Sequence, residues 1–268
     1  MAKYQINEST AKLHVTKGNS KIGKTIYSFS TLPGNHAHML YAKGELLTDV
    51  PGTCTDLCEG CFGACYAVNS AKLHHNAVIQ AWAENTILLR NKPDVLFDQI
   101  NALINEKNKK FYDTRNPKDL KITTWRWNVS GEIQHVSELA LMNALAKKHP
   151  EVQFSIYTKN FVALGKLLDT IGNTEPNFVI NVSQWHHVAD WFIEKYPGRC
   201  NVFEYDDSNL KHHDLSDADV ARLSKIVHCP AVTKEGHHAK TPNGEDITCD
   251  KCKRCYRKTG QTTAVYSH

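Results

Sequence analysis

From residue 120 onward, strand-sized and helix-sized patterns alternate, and this constrains the fold more than any other feature of the sequence. Residues 120–129 read as a strand, and 136–148 as a helix stopped at His149-Pro150. Residues 152–158, 178–183, 200–205 and 225–229 read as further strands, with helices over 161–171 and 188–196 between them. Upstream, residues 25–30 alternate like a strand, and a long stretch with Pro33-Gly34-Asn35 and Pro51-Gly52 follows. A helical period then places Leu73, Ala77, Val78, Ala81, Trp82, Leu88 and Leu89 on one face. Pro93-Asp94 opens a second helix, with Leu96, Phe97, Ile100, Leu103 and Ile104 facing inward. Repeated βα units imply a parallel sheet, because a crossover helix is the usual way to return a strand in the same direction. The expected fold is α/β: a partial (β/α) barrel of about six parallel strands over residues 1–228, with a small cysteine-rich, metal-binding extension over 229–268. A doubly wound sheet is the other arrangement of the same units.

The three central strands share a second pattern. Thr123, Trp125, Trp127 and Val129 lie on one face of the first, and Ile122, Thr124, Arg126, Asn128 and Ser130 on the other. Val152, Phe154 and Ile156 oppose Gln153, Ser155, Tyr157 and Lys159, and Phe178, Ile180 and Val182 oppose Asn177, Val179, Asn181 and Ser183. Parallel strands covered on both faces are usually apolar throughout. A polar face suggests a barrel lining, or else a half-exposed antiparallel sheet, which the intervening helices disfavour. Functional residues of such barrels gather at the C-terminal strand ends, which points to Asn128, Ser130, Lys159, Asn181 and Ser183.

Composition narrows the chemistry. The 268 residues include nine cysteines and carry a formal charge of only +4, which calls for neither nucleic acid nor a membrane surface. No apolar run reaches the ~20 residues of a membrane span, and residues 1–8 lack the apolar core of a signal peptide. A cytoplasmic protein with reduced thiols is therefore expected. Eight cysteines form two groups: Cys54, Cys58, Cys61 and Cys65, then Cys229, Cys249, Cys252 and Cys255. An odd total in a reducing compartment favours metal binding over disulfides. Cys200, alone at the start of a strand, reads as a buried thiol.

Cys54, Cys58 and Cys61 have C-x3-C-x2-C spacing, which lets one loop wrap an iron–sulfur cluster and leave one iron open. A closed four-cysteine site would add Cys65. On this loop, after the first strand, the chain resembles the radical S-adenosylmethionine (SAM) superfamily. The resemblance implies a [4Fe–4S] cluster whose open iron chelates SAM. It also implies a one-electron reductant, and reductive cleavage to a 5′-deoxyadenosyl radical that abstracts hydrogen from an unknown substrate. That family closes its second strand with a Gly-Gly-Glu-like motif, to which Ser130-Gly131-Glu132 corresponds, so Glu132 would accept the SAM ammonium. Asn181 and Ser183 would reach its ribose or carboxylate. Gly60 stands where the family places an aromatic residue, and the Cys-Tyr-Ala that many members carry at the third cysteine is here Cys65-Tyr66-Ala67. The ligands are thus either Cys54, Cys58 and Cys61, or Cys54, Cys61 and Cys65. The chain also resembles a phage and prophage family of gene 88 products, through Cys65-Tyr66-Ala67, Ala81-Trp82-Ala83-Glu84-Asn85-Thr86, Ser130-Gly131-Glu132 and the run Cys249 to Cys255.

The second group, C-x2-C-x2-C at Cys249, Cys252 and Cys255 with Cys229 as fourth thiol, resembles a ferredoxin-type loop and suits a second [4Fe–4S] cluster. Zinc on the same thiols is the rival. The histidine pairs lack zincin spacing, and Gly23-Lys24-Thr25 precedes a strand rather than following one, unlike a P-loop. Trp125 and Trp127 read as core. Asn85 breaks an apolar face, so it either bonds the cysteine loop or faces solvent. The alternative to a radical enzyme is a non-catalytic zinc or iron–sulfur module that recognises nucleic acid or a host protein.

Overall fold

The structure is a computed structural model that describes residues 2–19, 22–55, 61–63, 65–114, 121–184, 189–206, 216–217, 221, 226–233, 235 and 237–266. Its centre is an eight-stranded sheet of β1 (Thr16–Asn19), β2 (Gly23–Ser28), β5 (Thr124–Trp127), β6 (Gln153–Thr158), β7 (Phe178–Ser183), β8 (Asn201–Asp206), β9 (Val227–His228) and β10 (Thr262–Tyr266). A small hairpin, β3 (Tyr41–Ala42) and β4 (Glu45–Leu46), stands apart. The sheet order is β1-β2-β5-β6-β7-β8-β10-β9. Only β1 is antiparallel to its neighbour, so seven strands run parallel, against the six or so expected.

Helices fill the crossovers: α1 (Tyr66–Leu73), α2 (His75–Asn91), α3 (Pro93–Thr114), α4 (Val136–Lys148), α5 (Phe161–Ile171) and α6 (Ala189–Lys195). They cover the apolar face, where Trp125, Trp127, Phe154, Phe178, Ile180 and Val182 enter one buried core with Leu96, Leu139 and Leu164. Trp127 packs edge-on to Phe29 and parallel to Phe154. The two tryptophans are core residues, as expected. Cys200 is a partly buried thiol against this core, and burial pushes its pKa up to about 12.

The strand expected over 120–129 is shorter, because Asn128 takes φ +46° and turns the chain out of the sheet. The larger difference lies in the tail. Five residues, Thr262–Tyr266, form β10 and insert between β8 and β9. So short a strand takes its hydrogen bonds from partners distant in sequence, and local periodicity does not announce it. Before β10 the tail forms a turn of helix α7 (Cys249–Cys252) and a 3-10 turn, Arg254–Tyr256. Among the described residues, no helix is long and apolar enough to cross a membrane.

A candidate site between two cysteine groups

The irregular stretch after β2 is built rather than loose. Leu32, Leu40 and Leu47 pack on Val68, Ala71, Ile79 and Ala83, a small core beneath the first cysteine group that Cys65 also touches. Helix α2 fixes the path of the chain. Asn85 Nδ2 donates to Ser30 O and His14 O, while Thr86 Oγ1 accepts from Leu32 N. Glu84 accepts from Lys12 N and pairs with His14. Asn85 is thus a buried clamp on the exit of β2. One turn later, Arg90 donates from Nη1 to Pro51 O at 2.8 Å and from Nη2 to Gly52 O at 2.7 Å, fixing the approach to Cys54. Neither role is visible in local sequence, since the partners lie tens of residues away.

Cys54 then sits at the C-terminal ends of the parallel strands. Its N–H donates to Gly34 O, and Cys61, Cys65 and the Glu132 carboxylate are its electrostatic neighbours. Burial, and then these negative groups, push the Cys54 thiol up to about 12. Lys159 Nζ lies 3.5 Å from Cys61 Sγ and brings a positive charge to the group. Cys58 and Gly60 lie outside the described residues.

The Ser130-Gly131-Glu132 turn locks onto this loop. Glu132 N donates to Thr53 Oγ1 at 2.8 Å, and Thr53 Oγ1 shares a 2.8 Å bond with Thr31 Oγ1. The Glu132 carboxylate bridges to the exit of β6: Oε1 accepts from Thr158 Oγ1 and Ile133 N, and Oε2 accepts from Lys159 N. That leaves Oε2 able to take one more donor. Surrounding protein raises the Glu132 pKa by desolvation, and the Lys159 and Thr158 bonds oppose the rise. Ser130 Oγ and both amide atoms of Asn128 are buried with no hydrogen-bond partner among the described residues.

The expected polar face exists, but the tail covers much of it. Cys255 O accepts from Ser155 Oγ at 2.9 Å and from Asn181 Nδ2 at 3.1 Å. Asn201 Nδ2 donates to Arg257 O, and Asn201 Oδ1 accepts from Thr259 N and Gly260 N. At the other end, Asp250 N donates to Ile22 O. Gly23 is required there, because a Cβ would fall 1.9 Å from the Asp250 carboxylate. Asn181, read from the sequence as a cofactor contact, spends its amide on Ser155, Ile156 O, Cys255 O and Asn201. Ser183 is buried at the end of β7.

Cys229 and Cys249 are both electrostatic neighbours of Cys255. Burial pushes Cys255 up to about 12, against a hydrogen bond from Tyr157. Lys251 pairs with Glu245, and Arg254 is tied to Thr263 and Gln261, so two of the tail's cations have partners within it. Among the described residues, no three His, Cys, Asp or Glu side chains stand close enough to hold a single ion. In each group one thiol has two others as electrostatic neighbours, Cys61 and Cys65 about Cys54 and Cys229 and Cys249 about Cys255, and a multi-iron core spaces its ligands more widely than a lone ion does.

Fold and site together define a mixed α/β protein with a mostly parallel sheet, carrying one cysteine group at its strand ends and another on its polar face. The family model of gene product 88 matches residues 6–258, and the chain belongs to that family. No curated protein and no solved structure matches it.

Proposed function

We propose that the protein is a radical SAM enzyme, with a [4Fe–4S] cluster on the loop from Cys54 to Cys65 and a second metal group on Cys229, Cys249, Cys252 and Cys255. One observation carries the reading. Thiols of a single short loop gather at the end of the first parallel strand, beside the Glu132 carboxylate at the exit of the next. Held by these thiols, the cluster would supply one electron, taken from an external reductant, for cleavage of SAM to methionine and a 5′-deoxyadenosyl radical that would abstract hydrogen from the substrate.

The chain's own residues do the rest. Cys54 and Cys61, with Cys58 or Cys65, are the ligands. Lys159 offsets thiolate charge at Cys61. Glu132 Oε2 has an acceptor position left for the SAM ammonium, and Ser130 Oγ is an unused partner beside it. A partial barrel is supported by the unbroken run of parallel strands from β2 to β9 and by the tail, which bonds across their polar face from Ile22 to Asn201. The second group holds iron–sulfur or zinc, and the compartment that keeps such thiols reduced is the cytoplasm.

Anaerobic reconstitution tests the reading. About eight iron and eight sulfide per chain are expected if both groups hold cubanes. Dithionite should then drive conversion of SAM to 5′-deoxyadenosine. Glu132→Gln, which keeps an acceptor but loses the charge, should weaken SAM binding about 10- to 100-fold. Cluster-replete protein that binds no SAM would overturn the reading. Zinc as the sole metal in anaerobically purified protein would favour a binding module instead.

A further inference from the structure

Arg126 on β5, then Asn128 and Ser130 in the turn that leaves it, form a short row in the chain, and each has buried polar atoms with no partner among the described residues. These are Arg126 Nε, both Asn128 amide atoms and Ser130 Oγ, and the nearby Tyr256 hydroxyl is a fifth. Asn128 and Ser130 are only 5% and 3% exposed. The Arg126 guanidinium lies 4.5 Å from the centre of the Tyr157 ring. Its electrostatic neighbours are Tyr66, Tyr157, Tyr256 and Cys249. No carboxylate pairs with Arg126 among the described residues. Buried polar groups left this way are costly, a cation most of all, so a chain that keeps several in one row keeps them for a ligand. Tyr66, more than half exposed, donates its hydroxyl to Val129 O, between Asn128 and Ser130 in the chain.

We infer that this row is an oxyanion subsite, in which Arg126 and the Asn128 amide bind a carboxylate or phosphate group of the substrate. The donor set is the argument. A guanidinium edge, an amide N–H and a hydroxyl match the oxygens of such a group, and Arg is the side chain best shaped for it. Compensation of a thiolate-bound metal at Cys249 would account for Arg126 alone. It would leave Asn128 unexplained. The word substrate rests on the function proposed above; the anion site itself does not.

The test therefore needs no turnover. Anaerobically reconstituted full-length protein is titrated with inorganic phosphate, acetate and benzoate, followed by calorimetry and by the emission of Trp125 and Trp127. Saturable binding of a phosphate or a carboxylate is expected, and the tighter arm names the group. Arg126→Met should weaken it about 10- to 100-fold. Asn128→Gly is the second variant, because glycine tolerates the left-handed backbone at φ +46° while the amide is lost. It should weaken binding several-fold without lowering Tm, and it decides the matter if Arg126→Met does not fold. SAM affinity, measured alongside, should be unchanged in both variants. No saturable anion binding by wild type, wild-type affinity in Asn128→Gly, or loss of SAM rather than anion binding would each overturn the inference. A protein that binds the anion but never cleaves SAM would instead refute the proposed function and keep the site.

Discussion

A Cβ built on Gly131 lands 1.9 Å from Thr31 Oγ1 and 2.5 Å from Thr53 Oγ1, at φ +81°. Those hydroxyls tie Glu132 and the Cys54 loop together, so they cannot retreat without breaking their shared bonds. Gly131→Ala is expected to cost about 3 kcal/mol or more, from the left-handed backbone and the overpacking together, read from urea unfolding. Glu138 offers a pH test. It is buried, and desolvation raises its pKa to about 7 against hydrogen bonds from backbone N–H groups, including Gln134. A folded-state pKa above the unfolded one favours the protonated form. Its contribution is complete below the unfolded pKa and is lost as pH rises towards 7. Stability should fall by about 2–3 kcal/mol between pH 4.5 and pH 8 through this group. Glu138→Gln should flatten that slope and be the more stable protein at pH 8, in unfolding curves across the range. The sequence made Gly131 and Glu132 visible as a motif. It gave no sign of Glu138, since an acidic residue in the first turn of a helix is ordinary.

At the scale of elements, α2 is the clamp that turns an irregular stretch into a site. Asn85→Ala would leave Ser30 O, His14 O and His14 N without their partner, a loss of about 2–4 kcal/mol in chemical denaturation. Arg90→Lys keeps the charge but loses the two-pronged grip on Pro51 O and Gly52 O. On the proposed function, it should lower the metal content and the SAM-dependent signal of the first group while leaving the second group's metal in place, which metal analysis combined with EPR can separate. Helical periodicity announced α2, and Ala81-Trp82-Ala83-Glu84-Asn85-Thr86 stood out as a motif. Its purpose did not, because hydrogen bonds to residues 12–32 are long-range. The central βα units were the most legible, since each strand and helix carries its own period.

At the scale of the molecule, the tail is a structural part of the sheet. It crosses the polar face from Ile22 to Asn201 and then enters as β10, pairing with β8 across five residues. Ending the chain after Thr248 would strip β10 from between β8 and β9 and expose Ser155, Asn181 and Asn201. Such a chain should lose its cooperative thermal transition and much of its amide dispersion in NMR. A soluble variant with the parent Tm would show that the tail only decorates the fold.

Local patterns determined the alternation of strands and helices, the apolar and polar faces of β5, β6 and β7, and the division of the thiols, because period and spacing are properties of neighbouring residues. The tertiary structure alone decided that the polar face is largely filled by the chain's own tail, that Asn181 serves that tail, and that Arg126 stands between the two cysteine groups with no carboxylate paired to it among the described residues. Those facts depend on which distant residues close over a buried polar group, and on whether they satisfy it.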